Sequence, residues 1–155
     1  MITKITNNLY LGDRDDAIDV LKEREKYGID YVLSVAGNVD VDSDIRFAIV
    51  DEALSSNKVL FEAALSTLTI LLFEGYSVLV HCPLGVSRSP ALVIAYLSVV
   101  EEMDIEEALS LVREKRPIVN PHPYFLRLIS VLKGTSSWLK KRDLLLNRRK
   151  TNILT

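Results

Sequence analysis

With 155 residues, 48% of them apolar and 26% charged, and a net charge of −2, the chain fits one soluble globular domain with a sizeable core rather than a disordered segment. No stretch reaches the roughly 18 uninterrupted apolar residues of a membrane span, and the opening MITKITNNLYLG lacks the apolar core of a signal peptide. A single cysteine, Cys82, excludes an intramolecular disulfide, a zinc finger and a CxxC redox pair, and makes the reducing cytoplasm the expected location.

Strand-like and helix-like runs alternate along the chain, which predicts an α/β fold with a mostly parallel sheet. Leu9-Tyr10-Leu11 reads as a short strand ending at Gly12. Asp13 to Lys26 reads as a helix with Ala17, Ile18, Val20 and Leu21 toward the core, ended by Gly28. Tyr31–Val35 is the next strand. A polar loop around residues 38–44 then leads to a strand over Arg46–Val50 that stops at Asp51.

Lys58–Phe73 is long and apolar enough for a buried helix, terminated near Gly75. Ser77–Val80 shows no alternation, as expected of a central strand covered on both faces. Pro90–Glu101 reads as a strongly apolar helix. Asp104-Ile105-Glu106-Glu107 resembles a capping box for a helix that runs to Arg116 and stops at Pro117. Tyr124–Leu132 begins a last core helix. Residues 133–155 hold seven Lys/Arg and one acid; the 12 bases and 20 acids before them leave the body at −8. This basic extension is expected to be a helix packing Trp138 and Leu144–Leu146 on the acidic body. Its clusters Lys140–Arg142 and Arg148–Lys150 offer contacts for an acidic partner or surface.

The chemistry concentrates at VLVHCPLGVSRSP, residues 78–90. In open α/β sheets ligands bind where strands end and helices begin. Backbone N–H groups of a loop curling onto a helix N-terminus attract anions. Cys82 stands at the strand end and Arg88 at the helix start, so the loop between them can form a cup. Its N–H groups and the helix dipole would stabilise a thiolate, and Arg88 could grip two phosphate oxygens. These parts suit nucleophilic attack on a phosphoryl group. A lone cysteine is more often a small buried apolar residue, but a polar loop carrying Gly85, Ser87, Arg88 and Ser89 makes a poor core and a good anion cup.

His81-Cys82-Pro83-Leu84-Gly85-Val86-Ser87-Arg88-Ser89 resembles the HCxxGxxR(S/T) signature of cysteine-dependent protein phosphatases. Asn8–Gly12 resembles the LYLG opening of their dual-specificity branch, and Gly28–Ala36 its GI-x-x-VLNVA strand. Ser89–Leu97 is similar to RSxTLVIAYL, and Arg116–Phe125 to RPxIxPNxGF. The resemblance covers roughly residues 2–132 and implies a catalytic domain there, with 133–155 as an extension. It also implies the phosphatase fold: a central, mostly parallel twisted sheet of about four or five strands, with helices on both faces.

The resemblance carries roles onto matching positions. Cys82 is the nucleophile that forms a phosphocysteine, Arg88 binds phosphate, and Ser89 assists the thiolate as leaving group. Residues 83–88 form the phosphate-binding loop, and His81 helps set the thiol pKa through the loop backbone without acting as a base. A leaving alkoxide or phenoxide also needs a proton from another loop. Asp51, after Phe47-Ala48-Ile49-Val50, matches the family's general acid; Asp40, Asp42, Asp44 and Glu52 read as solvated loop charges. The expected substrates are phosphotyrosine and phosphoserine/threonine in proteins, handled by a monomer with no metal or cofactor.

Three residues depart from the pattern. Pro83 has no N–H to add to the cup, and none to form the sulfenamide that protects an oxidised cysteine. Leu84 replaces a commoner alanine and is expected to crowd the pocket wall. His122 stands where the motif has asparagine and reads as an exposed loop residue. A non-protein phosphoester, such as a phosphoinositide or an RNA 5′-phosphate, is the alternative substrate. A rhodanese-type sulfurtransferase is a more distant alternative, disfavoured by the LYLG segment and by Asp51. A non-catalytic phosphoprotein-binding module would have little reason to keep Cys82 and Asp51 together.

Overall fold

The computed structural model describes residues 1–154. Thr155 and the side chains of residues 136, 137, 139 and 149–154 lie outside the described residues, and with them Arg149 and Lys150 of the second basic cluster. Five strands form one sheet: β1 (Thr3–Lys4), β2 (Leu9–Gly12), β3 (Tyr31–Ser34), β4 (Ile45–Arg46) and β5 (Val78–His81), in the order β1-β2-β5-β3-β4. Only the β1–β2 pair is antiparallel; β2, β5, β3 and β4 run parallel. The architecture is thus the expected α/β one, with β1 as an added edge strand too short to leave a periodic signal.

β5 sits in the middle because it is apolar on both faces. Val78, Leu79, Val80 and His81 are all fully buried, so layers cover the sheet on both sides. Helices α1 (Arg14–Lys22), α3 (Ser56–Phe73) and α4 (Arg88–Ala95) all contact this strand. Length and apolarity alone would let α3 cross a membrane, with a mean hydropathy of 1.3 over 18 residues. Instead, Phe61, Ala64, Leu65 and Leu68 bury a stripe of it in the core, where Phe61 stacks on Phe125.

Several elements differ from their predicted bounds for identifiable reasons. The helix predicted over Asp13–Lys26 breaks at Glu23 (φ −138°, ψ 55°) into α1 and a short α2 (Arg24–Tyr27), which Gly28 ends in the left-handed region at φ 66°. Within α1, Ala17 and Val20 are buried, whereas Ile18 and Leu21 are only partly so. The strand predicted over Arg46–Val50 is reduced to Ile45–Arg46. Its partner β3 ends at Ser34, and beyond the Phe47 N–H bond to Ser34 O (2.8 Å) residues 48–50 have no ladder to join.

The helix predicted from Pro90 begins two residues earlier, at Arg88, and its last turn, Tyr96–Val100, is π-helical. At α5 (Ile105–Lys115), Asp104 is the N-cap residue but its side chain makes no capping bond. The reciprocal box forms at α1 instead, between Asp13 and Asp16. The last core helix, α6 (Pro123–Lys133), stops at Gly134, and α7 (Ser136–Leu154) follows as a separate helix touching α3 and α6. Trp138 is buried there, but Leu144 is 71% exposed and does not pack as expected.

Candidate active site

The carboxyl ends of the parallel strands converge, as the topology requires. β5 delivers Cys82 and β3 leads to Asn38. β2 delivers Gly12, and the chain after β4 carries Asp51. Cys82, Asp51, Asn38, Ser87 and Arg88 line one cavity of about 230 Å3, which brings the three principal predicted residues together. Cys82 is 3% exposed and lies at its floor.

The loop from Pro83 to Ser87 is held by its carbonyls. Arg14 N–H bonds Pro83 O (3.1 Å), and Asn120 N–H bonds Val86 O (2.7 Å). The Arg116 guanidinium bonds Gly85 O (2.9 Å) and Leu84 O (3.4 Å). All four carbonyls are thus tied to the surrounding scaffold. In a trans peptide the N–H points opposite to the preceding C=O, and the described residues have no cis bond. The N–H groups of Leu84, Gly85, Val86 and Ser87 are therefore turned the other way, into the cup. Gly85 makes the curl possible: its φ is +65°, and a Cβ there would stand 2.5 Å from Arg116 Nη2 and 2.9 Å from Gly12 O. Pro83 supplies no donor, so the ring of amides begins one residue late.

Ser89, the second residue of α4, is fully buried with its Oγ 3.1 Å from Cys82 Sγ. Arg88 bonds Asn38 Oδ1 (2.9 Å) and Ile49 O (3.0 Å), both through Nη1. Its other guanidinium N–H groups have no acceptor among the described residues and remain open to an anion in the cavity. Ser87 Oγ donates to Asp51 Oδ1 (2.5 Å) and accepts from His122 N–H (2.8 Å), so the carboxylate is docked on the rim of the loop. His81 is completely buried, and among the described residues neither ring nitrogen makes a well-aligned hydrogen bond. Burial pushes its pKa down to about 4, with the Arg46 charge adding to the effect and the Cys82 backbone and Asp13 carboxylate opposing it. At neutral pH the ring is uncharged.

Other residues occupy places the sequence did not indicate. Asp44 is no solvated loop charge. It pairs with Arg24 through two 2.7 Å bonds and accepts the Val32 N–H. Burial works against its carboxylate, but these partners outweigh it and hold the pKa below the usual range. His122 is half-buried and caps α6, its Nδ1 accepting the Tyr124 N–H (3.1 Å). Leu84 does not crowd the wall; it is 70% exposed at the cavity mouth. Arg116, Asn38 and Asn57 were missed as site residues. Arg116 could have been noticed within the quoted Arg116–Phe125 motif. Asn38 and Asn57 act on or alongside backbone atoms of distant segments, and no residue-type pattern marks them. Among the described residues, no cluster of three or more His, Cys, Asp or Glu is arranged to hold a metal ion.

Comparisons with known proteins bear on the family and the fold. The model of the dual specificity phosphatase catalytic domain matches residues 9–133. Tyrosine-protein phosphatase yvh1 of Schizosaccharomyces pombe is 35% identical over 84% of this chain and 41% of its own length. Protein phosphatase Slingshot homolog 3 of Homo sapiens is 33% identical over 85% of the chain and 21% of its own length. The chain thus spans less than half of these relatives. Among solved structures, DUSP15 superposes with a TM-score of 0.80 at 28% identity, covering 95% of this chain and 96% of that one. A human tyrosine phosphatase-like serine/threonine/tyrosine-interacting protein gives 0.74 at 25% identity, covering 86% and 95%.

Proposed function

We propose that this chain, which belongs to the dual specificity phosphatase catalytic-domain family, hydrolyses phosphotyrosine and phosphoserine/threonine in proteins through a phosphocysteine intermediate, without a metal. One observation carries the reading: Cys82 lies at the floor of a cavity whose loop carbonyls are all turned outward, with Arg88 and Asp51 on its walls. A phosphate dianion entering this cup meets the inward N–H groups of residues 84–87 and the unengaged edge of Arg88.

The steps follow from the positions. The Cys82 thiolate attacks phosphorus and forms the S–P bond. The bond to the leaving oxygen breaks, and protonated Asp51 gives that oxygen its proton. Water then attacks the phosphocysteine while the Asp51 carboxylate takes a proton from it. The departing thiolate is met by the Ser89 hydroxyl, 3.1 Å away. Substrate and transition state share the same oxygens, and the amides need no rearrangement as charge shifts onto them. His81 is uncharged and buried, which suits a packing role beneath the loop better than proton transfer.

A panel of phosphotyrosine and phosphoserine/threonine peptides, a phosphoinositide, an RNA 5′-phosphate and p-nitrophenyl phosphate tests this, with thiosulfate as the sulfurtransferase control. Turnover of the phosphopeptides, abolished by Cys82→Ser, is the expected result; activity surviving that change rules the mechanism out. Asp51→Ala is expected to cost about 100-fold or more on phosphopeptides, and far less on p-nitrophenyl phosphate, whose leaving group hardly needs a proton.

A further inference from the structure

The segment that carries Asp51, residues 49–54, has no strand or helix of its own. A carboxylate on such a strap would wander, yet the backbone of residues 49, 50, 52 and 54 is tied. The main fastening is Asn57, in the first turn of α3. Its side chain is completely buried, and its bonds flank Asp51 on both sides. Oδ1 accepts the Val50 N–H at 3.0 Å. Nδ2 donates to Val50 O at 2.7 Å and to Glu52 O at 2.8 Å.

These three bonds use both amide donors and one acceptor site, so the residues before and after Asp51 are clamped as a pair by a single planar group. Tyr124 adds a second tie, its hydroxyl bonding Leu54 O at 3.0 Å. At the front, the carboxylate itself rests on Ser87 Oγ. α3 is anchored in the core by Phe61, Leu65 and Leu68, so the clamp transfers the rigidity of the core to an otherwise irregular strap.

We infer that Asn57, assisted by Tyr124, is a positioning residue for proton donation: it holds the strap so that the Asp51 carboxyl faces the leaving oxygen above Cys82. No other residue type reproduces the pattern. A leucine leaves the Val50 N–H without its partner, and an aspartate turns a charge onto two carbonyls. The role rests on Asp51 being the general acid, and it predicts a particular signature. Loosening the strap leaves the cup and Cys82 in place, and Arg88, which gives up at most its Ile49 O bond, keeps its bond to Asn38, so the step that needs a proton suffers most.

The test compares Asn57→Ala, Tyr124→Phe, Asp51→Ala and Asn57→Ala/Asp51→Ala in the full chain on a phosphotyrosine peptide and on p-nitrophenyl phosphate, with rates referred to folded protein measured by thermal melting. Asn57→Ala is expected to lose about 10-fold or more on the peptide and under about 3-fold on p-nitrophenyl phosphate, and the double variant to lose no more on the peptide than Asp51→Ala alone. Equal losses on the two substrates overturn the inference while leaving Asp51 its role. If Asp51→Ala itself shows no difference between the substrates, the general-acid reading falls and the inference with it. Should Asn57→Ala fail to fold, Tyr124→Phe decides the matter, because it removes one exposed hydrogen bond and opens no cavity. A selective loss of about twofold on the peptide supports the inference, and no selective loss overturns it.

Discussion

His81 is an ionisable side chain kept neutral by its surroundings, and that has a measurable thermodynamic consequence. Its pKa falls from the ordinary 6.5 to about 4 on folding. Between those values the unfolded chain binds a proton that the folded chain refuses, so stability falls as pH drops through that window. From pH 7 to pH 5 the loss is about 2 kcal/mol, since each pH unit below 6.5 removes about 1.4 kcal/mol. The carboxylates of Asp13 and Asp44, held below the usual value of 3.8, lose their contribution only in more acid solution. Urea unfolding at pH 7 and pH 5 is therefore expected to show a drop of about 2 kcal/mol in the wild type that His81→Gln largely removes.

The neighbouring Pro83 sets the oxidation chemistry of Cys82. Peroxide converts the thiolate to a sulfenic acid, which can be trapped by condensing with the next backbone N–H and expelling water. Proline has no such hydrogen, and the sequence has no second cysteine. After a short exposure to excess peroxide, dithiothreitol is expected to restore little activity in the wild type and clearly more in Pro83→Ala. Full recovery of the wild type would contradict this.

Among elements, the two aspartates at helix starts separate what a pattern promises from what geometry delivers. Asp13 accepts the Asp16 N–H at 2.9 Å and the Asp16 carboxylate returns the bond, whereas Asp104 makes no capping bond at all. Asp13→Ala is expected to cost about 1 kcal/mol or somewhat more, and Asp104→Ala within about 0.5 kcal/mol, in parallel denaturant titrations. The Asp104 motif was legible and misleading, because four residues can match a capping box without the side chain reaching the backbone. The continuous apolar run Val78–Val80 was legible because burial on both faces leaves a composition that little else produces. β1, the break at Glu23 and the π-helical turn carry no period, so nothing in the residue order announced them. The site divides in the same way. Cys82, Arg88 and Ser89 share one contiguous loop and could be read together. Asn57 and Asn38 reach the site from elsewhere in the chain, bonding the Asp51 strap and the Arg88 guanidinium, and only the folded backbone reveals what they hold.

At the scale of the whole molecule, the acidic body and the basic last helix do meet. Arg142 pairs with Glu102 at 2.9 Å and Arg148 with Glu74 at 2.8 Å. Exposed pairs of this kind contribute little individually. The buried Trp138, with Lys141 Nζ 5.1 Å from its ring centre, is the stronger attachment. Trp138→Ala is accordingly expected to cost about 3 kcal/mol, while Arg142→Ala and Arg148→Ala each cost about 0.5 kcal/mol or less. Melting in low and high salt distinguishes the two kinds of attachment, since only the ion pairs are screened.

The position of β5 also dictates an order of assembly. Val78 pairs with both Leu9 and Tyr31, so the two earlier strands have no contact with each other until the later one arrives between them. A chain emerging from the ribosome therefore carries one unjoined edge on β2 and one on β3 until Val78, 44 positions after Ser34, and the sheet closes only when the segment bearing Cys82 inserts. Pairings so distant in sequence are slow to form. Closing the sheet places Cys82, but its loop is fully held only once Arg116 and Asn120, later in the chain, bond the loop carbonyls, so a chain that ends at α4 carries the thiol without a finished cup.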